Sequence, residues 1–181
     1  MIKKFNYAEI DRKFVFLCFI AYFILLSWAI VFKMNVPSLT MKGRDIVLIP
    51  FKDDTYYVSD LNRFLSVGGN IVGFVPAGIL FYLIISGDNR FLKAIYASLA
   101  SLGVSLFYEV IQYIFAIGVS ATTDLIHNFM GGVIGVFIIL MLELFMSEKT
   151  VNGICKWVFY ILSPICIATI ISTIVSIELY I

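Results

Sequence analysis

Five long apolar stretches constrain this chain more than any other feature, because each is long enough to cross the hydrocarbon core of a bilayer as a helix. They cover residues 14–32, 65–85, 92–117, 125–145 and 154–177. The chain is 61% hydrophobic and 14% charged, whereas a soluble domain is roughly 45–50% apolar and about 25% charged. The sequence therefore predicts an all-α fold: a polytopic membrane helical bundle of about five transmembrane helices, forming a single domain over residues 1–181.

Lysine and arginine residues predict the orientation of the helices, because they are enriched in cytoplasmic connections. Eight of the 13 lysine and arginine residues lie on one side of the predicted membrane. Four precede the first stretch, two lie near the junction of the second and third stretches, and two near the junction of the fourth and fifth. The other five lie between the first and the second stretch, at positions 33, 42, 44, 52 and 63. This asymmetry favours an inside N-terminus and makes 35–63 the one long outer loop, between helices one and two. Within it, the apolar segment 46–51 fits an interfacial segment, a re-entrant segment or a free loop.

The other charged and reactive residues exclude several classes of function. The net charge is +1 without a basic stripe outside the connections, which argues against a nucleic-acid partner. Cys18, Cys155 and Cys166 have neither metal-ligand nor redox spacing and are expected to fill apolar space. His127 is the single histidine, and no metal-binding or cofactor-binding motif occurs. No metal and no cofactor are therefore expected.

Five polar residues are predicted to converge near the outer membrane face. Asn70 lies near the outer start of the second helix, and Glu109 and Gln112 lie near the outer end of the third. Asp124 and Asn128 lie in the first turns of the fourth. A carboxylate that faces lipid costs several kcal/mol, so Glu109 is expected to face the bundle interior. These five are the predicted ligand-binding residues, and the two acids are also the candidate catalytic residues.

Structural roles compete with functional ones at each of these positions. Asp124, or a neighbour, fits an N-terminal cap of the fourth helix. Asn70 and Asn128 fit interhelical hydrogen bonding. His127 fits either an interfacial polar residue or a proton relay. Glu109 is the position for which a functional role is favoured, because intramembrane acids are rare and costly.

Small residues and a proline predict how the helices pack. Gly131 and Gly135 form a G-x-x-x-G pattern, which lets two helices approach closely. Pro76 removes a helical hydrogen bond within the second stretch and is expected to kink it beside the polar residues.

Three blocks of residues between about 46 and 135 carry a resemblance to a known family. The first is L-I-P-F at 48–51, and the second is N-I-V-G-F-V-P-A-G at 70–78. The third runs from E-V-I-Q at 109–112 to D-L-I-H-N-F-M-G-G-V-I-G at 124–135. Their order and spacing resemble the motifs of the VanZ-like membrane proteins. Residues 118–123 depart from that pattern, because they lack the acidic residue that many relatives carry there.

The resemblance implies a multi-pass protein of a bacterial plasma membrane, associated in some members with low-level resistance to teicoplanin-like, lipid-tailed glycopeptides. It implies no mechanism. The many Ile, Phe, Asn and Lys residues suit a Gram-positive bacterium.

Three functions fit the polar residues. The favoured one, which is not enzymatic, is binding or modulation of an amphiphilic envelope ligand, such as a lipid-linked precursor or a lipoglycopeptide antibiotic, through an outward-facing polar pocket. Membrane lipids are the other expected partners. The alternative is an intramembrane enzyme that uses Glu109 and Asp124 as an acid–base pair on an envelope lipid. The third is a proton-coupled transporter with Glu109 as the proton carrier, which would require a homodimer because five spans are few for alternating access.

Overall fold

The computed structural model of the chain describes residues 12–31, 45–52, 60–116, 119–147 and individual positions between 149 and 175. In chain order, its elements are helix α1 (Arg12–Val31), strand β1 (Asp45–Val47), helix α2 (Asp60–Ile84), helix α3 (Arg90–Phe115), strand β2 (Val119–Ala121) and helix α4 (Thr122–Phe145). The described chain is therefore mostly helical, as predicted. It divides into two compact units, Leu39–Phe137 and Met1–Ser38 with Ile138–Ile181.

Three of the described helices are long and apolar enough to cross a membrane. These segments are Ser66–Ile84, Arg90–Phe115 and Thr122–Phe145. They correspond to the second, third and fourth predicted spans, and α1 coincides with the first. The fifth predicted span, 154–177, lies mostly outside the described residues. The count of five, the inside N-terminus and the outer loop at 35–63 therefore stay predictions.

Specific residues determine where α3 begins and ends. The side chain of Asn89 accepts hydrogen bonds from the backbone N–H groups of Phe91 and Leu92, at 3.0 and 3.2 Å. This N-cap satisfies donors that have no partner within the helix. At the other end, Ala116 adopts a left-handed conformation (φ 53°) that stops the helix. As a result, α3 begins and ends two residues before the predicted span at 92–117.

Glycines bring α2 and α4 into backbone contact within the Leu39–Phe137 unit. A Cβ atom at Gly131 would overlap the carbonyl group of Ile71, and one at Gly135 would overlap the carbonyl group of Val75. These residues lie four apart on both helices, so the two contacts repeat once per turn. The predicted role of the G-x-x-x-G pattern in close helix packing is confirmed.

The prediction of an all-helical chain missed a small parallel sheet. Strand β1 pairs with β2 in the register Asp45 to Val119, Ile46 to Ser120 and Val47 to Ala121. Each strand has three residues, which is too short for an alternating pattern to be recognisable in the sequence. The pairing attaches part of the long loop to the connection between α3 and α4. We refer to residues 45–52 as the strap.

The second unit contains α1 and the end of α4. Cys18, Tyr22 and Leu26 are buried and lie four residues apart, so they form one face of α1. Cys18 thus fills apolar space as expected, whereas Cys155 and Cys166 lie outside the described residues. Glu143, in the last turn of α4, is also buried.

Candidate functional site

We refer to the five predicted polar residues, Asn70, Glu109, Gln112, Asp124 and Asn128, as the polar cluster. The first contact of this cluster joins α2 to α4. The amide Nδ2 of Asn70 donates a hydrogen bond of 2.7 Å to Oδ1 of Asp124. Asp124 lies in the first turn of α4, where the partial positive charge of a helix N-terminus favours a carboxylate. Hydrogen bonds to a carboxylate are stronger than those between neutral groups. Asn70 therefore acts between helices, as the structural interpretation expected.

The second contact holds Glu109 against the connection between α3 and α4. Its Oε2 accepts a hydrogen bond of 2.8 Å from the backbone N–H of Ala121, the residue directly before α4. The side chain is only 5% exposed and lies six residues, or about 9 Å, from the end of α3. Glu109 thus faces inward. Its carboxylate, like that of Asp124, lies beside the N-terminal end of α4, although Glu109 itself belongs to α3.

The third contact lies one helical turn deeper. Nδ2 of Asn128 donates a hydrogen bond of 3.0 Å to Oγ of Ser105. Asn128 is 1% exposed, and its Oδ1 has no hydrogen-bond partner among the described residues. Gln112, the last of the five predicted residues, is buried on α3. The structure therefore places Asn70 in contact with Asp124. It places Glu109 and Asn128 where α3 lies against the start of α4 and the connection before it.

Sequence reasoning did not include Ser105 among the ligand-binding residues, although a usable signal was present. Lys93, Ala97, Ser101, Ser105 and Glu109 follow one another at intervals of four residues, and all are buried. Residues at this spacing share one helix face. The inward position inferred for Glu109 therefore also places the two serines inward.

His127 is buried within the protein. It is 8% exposed, and its Nδ1 has no hydrogen-bond partner within the described chain. Its ring lies 6.1 Å from the ring of Phe51, measured between centroids. The backbone N–H of Phe51 donates a hydrogen bond of 2.7 Å to Oγ1 of Thr123. The strap therefore contacts the first two turns of α4 beside the polar cluster.

The hydrogen bond between Asn70 and Asp124 should be measurable as a coupling energy. We expect the stability losses of Asn70→Ala and Asp124→Ala to be non-additive by about 1.5–3 kcal/mol, because the bond has a charged partner. The free energy of unfolding in detergent, determined for both single variants and the double variant, checks this.

A matched cycle provides the control. Asn89 caps α3 and belongs to no contact of the cluster, so Asn70→Ala and Asn89→Ala should be additive within about 0.5 kcal/mol. Equal coupling in the two cycles would contradict the assignment of a specific bond between Asn70 and Asp124.

The long apolar helices and the polar contacts between them define a helical membrane protein with a polar cluster at one end of its spans. The VanZ/LLP1 family model matches residues 15–145, and the chain belongs to this family. Protein VanZ of Enterococcus faecium is 27% identical over 140 residues, which cover 76% of this chain and 80% of that protein. No solved structure matches the chain. The resemblance inferred from the three motif blocks is thereby confirmed.

Proposed function

We propose that this VanZ-like membrane protein binds or modulates an amphiphilic cell-envelope ligand through the polar cluster. The ligand class is a lipid-linked envelope precursor or a lipoglycopeptide antibiotic, and the consequence is a contribution to teicoplanin-type resistance. The observation that carries the proposal is the convergence of Asn70, Glu109, Asp124 and Asn128 from three helices beside the first two turns of α4. Polar and ionisable side chains within membrane spans are rare and costly, so a cluster of them indicates a functional site.

The charge asymmetry of the connections supports an outward-facing cluster. With an inside N-terminus, the end at which α3 stops and α4 starts lies at the outer face. This is the side from which an envelope precursor or an antibiotic approaches. Asn128 supports a binding role specifically, since its buried Oδ1 has no partner among the described residues and can accept a hydrogen bond from a ligand.

Binding is favoured over the acid–base alternative by the bonds that the polar groups make. Oδ1 of Asp124 and Oε2 of Glu109 accept hydrogen bonds that connect parts of the protein. Ser105, the hydroxyl paired with the cluster, contacts the amide of Asn128. An activated nucleophile needs an adjacent base, and an amide is not one.

Charge-neutralising variants test the proposal. Glu109→Gln and Asp124→Asn keep the size of each side chain and an acceptor oxygen, but remove its negative charge. We expect each to weaken binding of a fluorescent lipid-tailed glycopeptide to the protein in nanodiscs by about tenfold, or about 1.4 kcal/mol. We expect the same variants to reduce the protection that the expressed protein provides against that glycopeptide.

Glu143→Gln is the matched control, because Glu143 is also a buried glutamate but lies in the last turn of α4. It should bind the probe like the unmodified protein. The same glycopeptide core without its lipid tail should bind weakly to every variant. Unchanged binding and protection in both Glu109→Gln and Asp124→Asn, at equal expression, would refute the proposal.

A further inference from the structure

The strap is attached to the bundle at its first three residues and again at Phe51. Residues 45–47 form the parallel ladder with 119–121. Four residues after Val47, the backbone N–H of Phe51 donates to Oγ1 of Thr123. Both attachments lie at the connection between α3 and α4, so the strap crosses the end of the bundle at that connection.

The turn at the tip of the strap is held in a strained conformation. Residues 49–52 form a turn closed by a hydrogen bond of 3.4 Å from the N–H of Lys52 to the carbonyl of Ile49. Pro50 is its second residue, and Phe51, its third, has a positive φ of 62°. A left-handed conformation costs a residue other than glycine about 1–2 kcal/mol. Such strain persists only where the surroundings fix the backbone, as Thr123 and the ring of His127 do here.

The strap directs apolar side chains away from the protein. Leu48 is 76% exposed and Ile49 62%, and Ile46 and Phe51 are about half exposed. Four large apolar side chains within six residues form an exposed patch that water would solvate poorly. A surface of this composition fits a partner that is itself apolar.

The length of α3 indicates what that partner is. Its 26 residues extend about 39 Å, whereas the hydrocarbon core is about 30 Å thick. A centred helix therefore extends beyond the edge of the core by about 4.5 Å at each end. The strap lies at one of these ends, at the level where headgroups meet acyl chains.

We propose that the strap is an interfacial membrane anchor, with Leu48 and Ile49 inserted among the acyl chains of the adjacent leaflet. The proposal rests on the placement of α2, α3 and α4 in a membrane and not on the proposed ligand. Of the three placements that the sequence allowed for residues 46–51, the proposal favours the interfacial segment over the re-entrant segment and the free loop. Three residues separate the attachments at Val47 and Phe51, so the tip can extend at most about 7 Å from them. This reach is too short for a re-entrant segment and matches the depth of about 5–10 Å typical of interfacial elements.

Spin labels at single cysteines test the position of the strap. The 181-residue chain, with its three cysteines replaced by alanine, is labelled at Leu48→Cys or Ile49→Cys and reconstituted in phosphatidylcholine–phosphatidylglycerol vesicles. Collision with oxygen reports acyl chains, and collision with a water-soluble nickel chelate reports water. We expect the ratio of oxygen to nickel collisions at both positions to be severalfold higher than at Asp45→Cys, the exposed polar control in the same strap.

Leu99→Cys provides the opposite reference, because Leu99 is exposed near the middle of α3. The ratios at 48 and 49 should fall between those of Asp45→Cys and Leu99→Cys. Ratios equal to that at Asp45→Cys would show a water-exposed loop, and ratios equal to that at Leu99→Cys would show deep insertion. Either result would overturn the proposal. Agreement between the two labelled positions guards against a local effect of one label.

Discussion

Gly131→Ala is expected to lower the free energy of unfolding in detergent by about 3 kcal/mol, the upper part of the range for overpacking. The added methyl group would overlap the carbonyl of Ile71 and lie within 2.9 Å of the Cβ of Phe74. The backbone of a helix cannot move away locally without breaking its own hydrogen bonds. The two helices must therefore separate, and the contact of Gly135 with Val75 one turn further along would weaken with it.

Gly103→Ala is the matched control on α3. A Cβ atom there meets no atom within 4 Å, and alanine is favoured over glycine inside a helix by about 1 kcal/mol. The control should therefore keep or slightly raise stability, although the chemical change is the same. Equal effects at Gly131 and Gly103 would contradict the backbone contact between α2 and α4.

Glu109→Leu is expected to cost about 1–3 kcal/mol of stability, because it leaves the N–H of Ala121 without its acceptor in a buried place. The loss should be local, since this bond attaches α3 to the residue before α4. Amide hydrogen exchange at Ala121 should become faster, while exchange in the middle of α3 should change little.

Glu109→Gln separates this structural role from the proposed binding role. Glutamine retains a carbonyl oxygen that can accept the N–H of Ala121, so most of the stability should return. Ligand binding should remain weakened, because the charge is absent. If glutamine restored both properties, the carboxylate of Glu109 would be structural only.

The convergence of the polar residues could be predicted from the order of the helices. Adjacent spans run in opposite directions, so the end of α3 and the start of α4 must lie at the same membrane face. The distances that join Asn70 to Asp124 and Glu109 to Ala121 could not be predicted. They depend on the rotation of each helix about its axis, which periodicity determines poorly when every face of a helix is apolar.

The strap illustrates what sequence reasoning could not reach. The apolar composition of residues 46–51 was visible, and three placements fitted it equally well. The pairing of Asp45–Val47 with Val119–Ala121 joins residues more than 70 positions apart. No local pattern in two three-residue strands encodes such a partner. The burial of His127 against Phe51 follows from the same pairing and was missed for the same reason.

The sequence alone determined the family, and it determined that the polar residues gather at one end of the spans, because motif spacing and alternating direction are properties of the chain order. Its hydropathy predicted five spans. For the spans α2, α3 and α4, the structure agrees with that reading. Which atoms meet was decided only by tertiary packing. Glycines on α4 allow the backbone of α2 to approach, and this approach, together with the ladder of the strap, sets the position of each polar side chain.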